Sequence, residues 1–196
     1  MLYIKQLCLI IYIIITVLFT VGYASQPILE TSQLAQTPTN ADGTPSSTIG
    51  TISTVSSSFY IGKVSNVISN IQNTYSSSND YSSVSNNLNV LFQTLLYTCI
   101  AITILLVVGI LLGYFGLKMI SKLIFLLAMI LMIGVFIVIQ VVILTDSFIS
   151  KIKANGLNRN SISSTSTSTS NGTGYYLILA STVLMIITYV IYVFLA

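Results

Sequence analysis

The sequence predicts an all-α membrane protein with three transmembrane helices, or four if the N-terminal segment is retained. Two apolar stretches lie between Val90 and Thr145, and another runs from Tyr175 to Ala196. Only 6% of the residues are charged and 54% are hydrophobic. A soluble domain has about a quarter charged residues, so lipid replaces water over much of this surface.

Residues 1–24 are predicted to be either a signal peptide or an uncleaved anchor. Lys5 precedes an apolar core from Leu7 to Val21. Gly22-Tyr23-Ala24 then places small residues at the spacing of a signal-peptidase site. The apolar run is also close to the lower length limit for a transmembrane helix, so both alternatives stay open. Cleavage after Ala24 is the favoured one.

The next part of the chain is predicted to lie outside the bilayer. Residues 25–58 are rich in Ser, Thr and Pro, and they can bury too little apolar surface to offset their ordering entropy. We therefore expect a flexible segment. Residues 59–75 are predicted to form an external amphipathic helix, because apolar side chains recur at helical spacing at Ile61, Val64, Ile68, Ile71 and Tyr75. This helix either packs on its own molecule, which is favoured, or lies on the membrane surface or a partner.

Residues 82–89 are predicted to be a helical lead-in to the membrane part of the chain. Residues 90–115 and 123–145 then form two transmembrane helices, the first of which is roughly 39 Å long. Between them lies a short basic turn, residues 116–122, with Lys118 and Lys122. Residues 146–174 are predicted to be a Ser/Thr-rich loop, and residues 175–196 a further transmembrane helix.

The orientation follows from the N-terminal segment. If residues 25–89 are exported, the basic turn is cytoplasmic and the 146–174 loop is external. Basic residues near the membrane number about three on each side, so the positive-inside rule does not decide between orientations. The Ser/Thr-rich composition of both large polar segments favours the external side. Asn171-Gly172-Thr173 is a glycosylation acceptor sequence if its loop faces outward.

Three glycines are candidates for close helix packing. Gly109 and Gly113 are four residues apart, and Gly116 follows on the next turn. Small residues at this spacing let two helix backbones approach closely in lipid. The functional interpretation is a face for homo-oligomers. The alternative, which is favoured, is that Gly109 and Gly113 seat the second helix of the same hairpin.

The residue types present argue against most kinds of catalytic and ligand-binding site. There is no His, the four carboxylates are scattered, and the two cysteines are isolated, so we predict no catalytic, metal or cofactor site. The seven basic residues form no cluster that would bind nucleic acid, and no site for a small-molecule substrate is evident. Gln93 and Gln140 are the most polar side chains of the hairpin helices. A ring of Gln140 from several copies would line a pore, and the alternative is that both side chains bond across the hairpin or reach the lipid headgroups.

Some resemblances to known families follow from these patterns. The segment GILLGYFGLKMISKLIFLLAMILMIG, residues 109–134, looks like part of a seven-span eukaryotic family, and a leader before a basic hairpin is similar to conjugative pilins. The whole chain has Ser/Thr/Asn/Tyr-rich outer segments, Ile/Leu/Val-rich helices, and neither His nor Trp. In this it resembles the multi-pass membrane and envelope proteins of archaeal viruses and their hosts. That resemblance implies location in a host cell membrane or a virion envelope.

Together these patterns predict a multi-pass membrane protein that is not an enzyme. Its leading interpretation is a structural or interaction component of a membrane or envelope assembly. The lipid bilayer, further copies of the chain and other membrane proteins are its expected partners. A pore or transporter subunit formed by oligomerisation is the alternative. A receptor for an external ligand would need order in residues 25–58, which we do not expect.

Overall fold

The computed structural model describes residues 2–35, 53–63, 81–143 and 167–195. In chain order the elements are α1 (Leu2–Ala24), β1 (Leu29–Ala35), β2 (Ser53–Phe59), α2 (Tyr81–Tyr114), α3 (Lys118–Val138), a π-helical turn (Ile139–Ile143), β3 (Thr167–Asn171) and α4 (Thr173–Leu195). Helix α2 includes residues 82–89, where the sequence predicts a helical lead-in.

Four of these helices are long and apolar enough to cross a membrane, which confirms the prediction of a helical membrane protein. The apolar spans are Gln6–Ala24, Asn89–Tyr114, Lys118–Val141 and Thr173–Phe194. The helices form a bundle in the order α1, α2, α3, α4, and α4 packs back against α1. Neighbouring helices are antiparallel, as the short turn between α2 and α3 requires.

The outer faces of the helices are apolar and carry large exposed side chains. Each helix contributes at least one Ile that is half exposed: Ile13 at 50%, Ile104 at 58%, Ile130 at 55% and Ile187 at 52%. Soluble proteins rarely expose contiguous apolar surface of this extent. These faces therefore contact lipid.

Exposed aromatic side chains recur at a similar spacing on two helices. On α2 they are Tyr97 and Tyr114, and on α4 they are Tyr176 and Phe194. At 1.5 Å per residue the members of each pair are roughly 26 and 27 Å apart along the helix axis. Aromatic residues are enriched at membrane–water interfaces, which lie on either side of a hydrocarbon layer about 30 Å thick. The separation within each pair is thus close to the thickness of that layer.

The structure contains a small antiparallel sheet, and this corrects the prediction that residues 25–58 are flexible. The strand order is β2-β1-β3, and Leu29 at the start of β1 lies opposite both Phe59 and Asn171. Composition alone predicts disorder because few large side chains are available. However, β1 begins close behind α1 and β3 ends just before α4, so the bundle already holds the strand ends together and lowers the entropy cost of pairing. Residues 36–52 lie outside the described part.

The predicted amphipathic helix over residues 59–75 does not begin where expected. Phe59 is the last residue of β2 and pairs with Leu29, and Tyr60 to Lys63 form a turn. Ile61 is fully buried, and the backbone N–H of Gly62 donates to the carbonyl of Tyr23 at 2.9 Å. Pairing with β1 and contact with α1 therefore override the helical periodicity at this point. Residues 64–75 of this prediction lie outside the described part.

The basic turn between the hairpin helices is shorter than predicted. Helix α3 begins at Lys118, so Lys118 and Lys122 belong to its first turns. Gly116 has φ of 87° and does not continue the helical face of Gly109 and Gly113. Its N–H donates to the carbonyl of Gly113, and the N–H of Leu117 donates to that of Leu112. This pattern is a Schellman motif, in which a left-handed glycine ends the helix.

The sheet and the hairpin turn lie at opposite ends of the bundle. β1 and β2 precede α2 and β3 precedes α4, so pairing among them brings residues 25–35, 53–63 and 167–172 to one end. At the other end, a Cβ on Gly113 would lie 3.0 Å from Leu9 near the start of α1. The predicted loop 146–174 accordingly includes β3 and the first residues of α4, and its residues 146–166 lie outside the described part.

Candidate functional site

All four helices meet at one aromatic cluster, formed by Tyr12, Phe125 and Tyr192. The rings of Tyr12 of α1 and Phe125 of α3 are stacked, with centroids 3.8 Å apart and an angle of 13° between their planes. Tyr192 of α4 meets both rings edge-on, at centroid distances of 5.8 and 5.6 Å. All three side chains are at most 1% exposed. Offset-stacked and edge-on pairs each stabilise by about 0.5–1.5 kcal/mol beyond area burial.

Helix α2 contributes to the cluster through two glycines. A Cβ on Gly109 would lie 2.7 Å from the ring of Phe125, so only a glycine leaves room for that ring. Gly113, one turn later, faces Leu9, Ser121 and Tyr192. Both glycines are therefore packed inside their own molecule. In the structure the two glycines therefore allow close packing within the hairpin. Neither of them lies on an outer face where homo-oligomers would form.

A set of polar groups closes the cluster on the side of the hairpin turn. The hydroxyl of buried Ser121 donates to the carbonyl of Gly109 at 2.9 Å and lies 3.4 Å from the hydroxyl of Tyr192. The ammonium of Lys122 donates to the carbonyl of Val193 at 3.1 Å. A cation at a helix C-terminus interacts favourably with the helix dipole and satisfies one of the final carbonyls. Ser121 and Lys122 thereby connect the hairpin to the end of α4.

The hydroxyl of Tyr12 is buried and has no hydrogen-bond partner among the described residues. An unpaired buried hydroxyl costs roughly 1–3 kcal/mol. The ring nevertheless stays in the centre, where it stacks on Phe125. Packing of the aromatic ring therefore outweighs the loss of hydration at this position.

A second contact between helices lies nearer to the sheet. The hydroxyl of Thr103 on α2 is 3.3 Å from that of Tyr23 and 3.5 Å from that of Thr20, both on α1. Thr103 also donates to the carbonyl of Cys99 in its own helix. Hydrogen bonds of this kind between membrane helices contribute on the order of 0.6–2 kcal/mol. They fix α1 against α2.

The sheet is joined to the ends of α1 and α4 by backbone contacts. The N–H of Gly174 donates to the carbonyl of Pro27 at 2.8 Å, and the N–H of Gly172 donates to that of Ile28 at 3.1 Å. The Thr173 hydroxyl donates to the side-chain oxygen of Gln26 at 2.8 Å. The end of α1 and the start of α4 therefore form one rigid junction, which we call the outer junction (Gln26–Ile28 with Gly172–Gly174).

The remaining residues singled out from the sequence lie on the surface. Lys118 is exposed at the start of α3, and Asn171 is exposed at the end of β3, beside the outer junction. Gln93 and Gln140 are both exposed, so neither side chain points toward the centre of the bundle. Gln140 lies in the π-helical turn that ends the α3 span.

No arrangement in the described residues resembles a metal site. No group of three His, Cys, Asp or Glu side chains occurs among residues 2–35, 53–63, 81–143 and 167–195. Cys8 and Cys99 are free and buried. The groups that the bundle brings together, three rings, two hydroxyls and an ammonium, serve to hold helices to one another.

The comparisons with known proteins add no relative: no protein-family model matches the chain, and no curated protein matches it.

The aromatic cluster was not predicted from the sequence. Tyr12, Phe125 and Tyr192 each lie in a continuous apolar run, where helical periodicity gives little contrast between core and lipid faces. Ser121 offered the best signal, because it is a small polar residue between the hairpin helices. Its alignment with Gly109 and Gly113 becomes evident only when the short turn sets the register of α2 against α3.

Proposed function

We propose that the protein is a structural or interaction component of a membrane or envelope assembly, without catalytic activity. The observation that carries this proposal is the closed interior of the bundle. Its centre is filled by the rings of Tyr12, Phe125 and Tyr192, and the hydroxyl of Ser121 beside them bonds to the carbonyl of Gly109 and lies 3.4 Å from the hydroxyl of Tyr192. The molecule is therefore a rigid transmembrane unit whose remaining surfaces, the lipid-facing helices and the Ser/Thr-rich end, are free for partners.

The proposed orientation places the sheet outside and the hairpin turn in the cytoplasm. Support comes from composition, because both large polar segments are Ser/Thr-rich, which favours the external side. Lys5, Lys118 and Lys122 belong to the turn end, and four basic residues lie in the other polar segments, so the positive-inside rule does not decide between the two orientations.

The location follows from this orientation and from composition. The resemblance to membrane and envelope proteins of archaeal viruses and their hosts supports a host cell membrane or a virion envelope. In this orientation Asn171 faces outward and is exposed, so it remains the proposed glycan acceptor. Loss of a glycosidase-sensitive mobility shift in Asn171→Gln would support that modification, and absence of any shift in the wild-type protein would overturn it.

The assembly role is tested by extracting the protein from its native membranes or particles in a mild detergent and measuring the native mass of the complex. We expect a particle larger than the monomer that contains further copies or other membrane proteins after subtraction of detergent. A monomer without partners would contradict the proposal. Extraction into aqueous carbonate without detergent would contradict the membrane location itself.

The alternative function is a pore formed between several copies. It is favoured by the exposure of Gln140 in a π-helical turn, since such turns are frequently found at functional sites. The test is the conductance of the protein reconstituted in planar bilayers. A pore lined by Gln140 would lose its conductance in Gln140→Leu and keep it in the control Ile137→Leu, which alters an exposed apolar residue one turn earlier. No conductance in the wild-type protein would dismiss the pore.

A further inference from the structure

The segment that the sequence marks as a signal peptide is an integral part of the bundle. We infer that α1 (Leu2–Ala24) escapes signal peptidase and stays in the mature protein as its fourth transmembrane helix. This reverses the alternative that the sequence favoured, which was cleavage after Ala24. The inference does not depend on the proposed assembly role.

The core of the bundle requires α1. Tyr12, Ile15 and Phe19 are fully buried, and Cys8 and Tyr23 are nearly so. Removal of residues 1–24 would leave the ring of Phe125 without its stacking partner. It would also open one side of Tyr192. A signal peptide that is cleaved and removed does not need side chains that pack closely against the remaining helices.

The match extends to polar groups and close backbone contacts. The hydroxyls of Thr20 and Tyr23 lie within 3.5 Å of that of Thr103 on α2. A Cβ on Gly22 would lie 3.1 Å from Leu177 and 3.2 Å from Ile178, so α4 packs directly against the backbone of α1. Polar and small residues of α1 thus face its neighbours, whereas its exposed residues between Leu7 and Val21, such as Ile13, are apolar.

The residues before the bond that signal peptidase would cut are also held in the structure. α1 stays helical through Gly22, Tyr23 and Ala24, the three positions before the predicted cleavage. Recognition of a peptide by added strand pairing requires an extended segment, which a continuous helix does not present. Beyond it, the N–H of Gly62 donates to the carbonyl of Tyr23, and a Cβ on Gly62 would lie 2.8 Å from the carbonyl oxygen of Ala24. The backbone on the N-terminal side of the Ala24–Ser25 bond therefore contacts the turn after β2.

Retention of α1 has a consequence for topology. With four membrane-spanning helices, the start of α1, the hairpin turn and the end of α4 all lie on one side of the bilayer. Lys5 then joins Lys118 and Lys122 on that side. The segment works as a signal anchor, which directs the following residues outward without being removed.

Mass spectrometry of the protein isolated from its native membranes tests this inference without any variant. We expect peptides from within Leu2–Ala24 in the purified protein, in the same amount as peptides from α2 and α4. A new N-terminus at Ser25, together with loss of the preceding peptides, would overturn the inference. The result is independent of whether the protein is found alone or in a complex.

A pair of neighbouring substitutions tests whether the retained helix is seated in the bundle. Tyr12→Ala removes the stacked ring, and we expect it to lower the thermal unfolding midpoint in detergent by roughly 5 °C or more. Ile13→Ala is the matched control, because Ile13 is 50% exposed on the lipid face, and we expect little change. Equal midpoints for the two variants and the wild-type protein would show that α1 is absent or unpacked, and would contradict the inference.

Discussion

At the scale of single residues, the packing of the bundle depends on contacts between glycines and aromatic rings. Gly109 leaves space for Phe125, Phe125 stacks on Tyr12, and the edge of Tyr192 closes the group. The spacing of Gly109 and Gly113 was evident in the sequence. The sequence also favoured the interpretation that these glycines pack against the second helix of the same hairpin. Which rings filled the space was not evident, because an apolar run in a membrane protein does not distinguish a buried Tyr from one that faces lipid.

Gly109→Leu tests the close contact between Gly109 and the ring of Phe125. A side chain at position 109 would collide with the ring of Phe125, and overpacking of a filled core costs about 1–3 kcal/mol. We expect a lower unfolding midpoint in detergent. Gly134→Leu is the matched control on α3, because Gly134 is exposed and a Cβ there meets nothing within 4 Å. The account would be wrong if Gly109→Leu kept the stability of the monomer and instead abolished crosslinks between copies.

Tyr12→Phe tests the cost of the unpartnered hydroxyl. The substitution keeps the stacked ring and removes a buried polar group that has no partner among the described residues. We expect unchanged or increased stability, by up to about 1 kcal/mol, because replacing an unsatisfied group with an apolar one of the same shape removes its desolvation cost. Thermal unfolding in detergent measures this. A loss of more than about 1 kcal/mol would mean that the hydroxyl makes a hydrogen bond.

At the scale of elements, the helices could be predicted from the sequence and the strands could not. Length and hydropathy identify three of the apolar helices because lipid imposes a minimum length on them, and they leave residues 1–24 open between a signal peptide and an anchor. The sheet is different, since its strands are Ser/Thr-rich and pair only where the outer junction holds them. Residues 59–63 show the same effect, because the helical periodicity there yields to the pairing of Phe59 with Leu29. Such contacts between distant segments leave no local pattern.

Amide hydrogen exchange tests whether the sheet is stable. β1 is the central strand, so its backbone groups pair on both sides, and we expect its amides to exchange more slowly than those of the edge strand β2. The measurement is made on the protein in detergent or in a lipid disc. Exchange of Leu29–Ala35 at the rate of an unstructured peptide would restore the original expectation of a flexible segment. It would also remove the support for an ordered external end.

At the scale of the whole molecule, the protein is a four-helix unit with chemically different ends. One end is a short turn followed by Lys118 and Lys122, and the other carries the three-stranded sheet with Glu30. Composition predicted the membrane location and the helical hairpin. The contacts of α1 with the other helices show that it is also part of the bundle. The specific partner depends on the surface shape of a neighbouring molecule, which a single chain does not encode.

Single cysteines at the two ends test the central claim, that these helices cross the bilayer and separate the sheet from the hairpin turn. Ser170→Cys places a thiol on β3 and Met119→Cys places one at the start of α3, and both positions are exposed. Cys8 and Cys99 are buried and are expected to remain unlabelled. In intact cells a membrane-impermeant maleimide should label Ser170→Cys at once and Met119→Cys only after the membrane is opened. Labelling of both cysteines from the same side of an intact membrane would contradict the account.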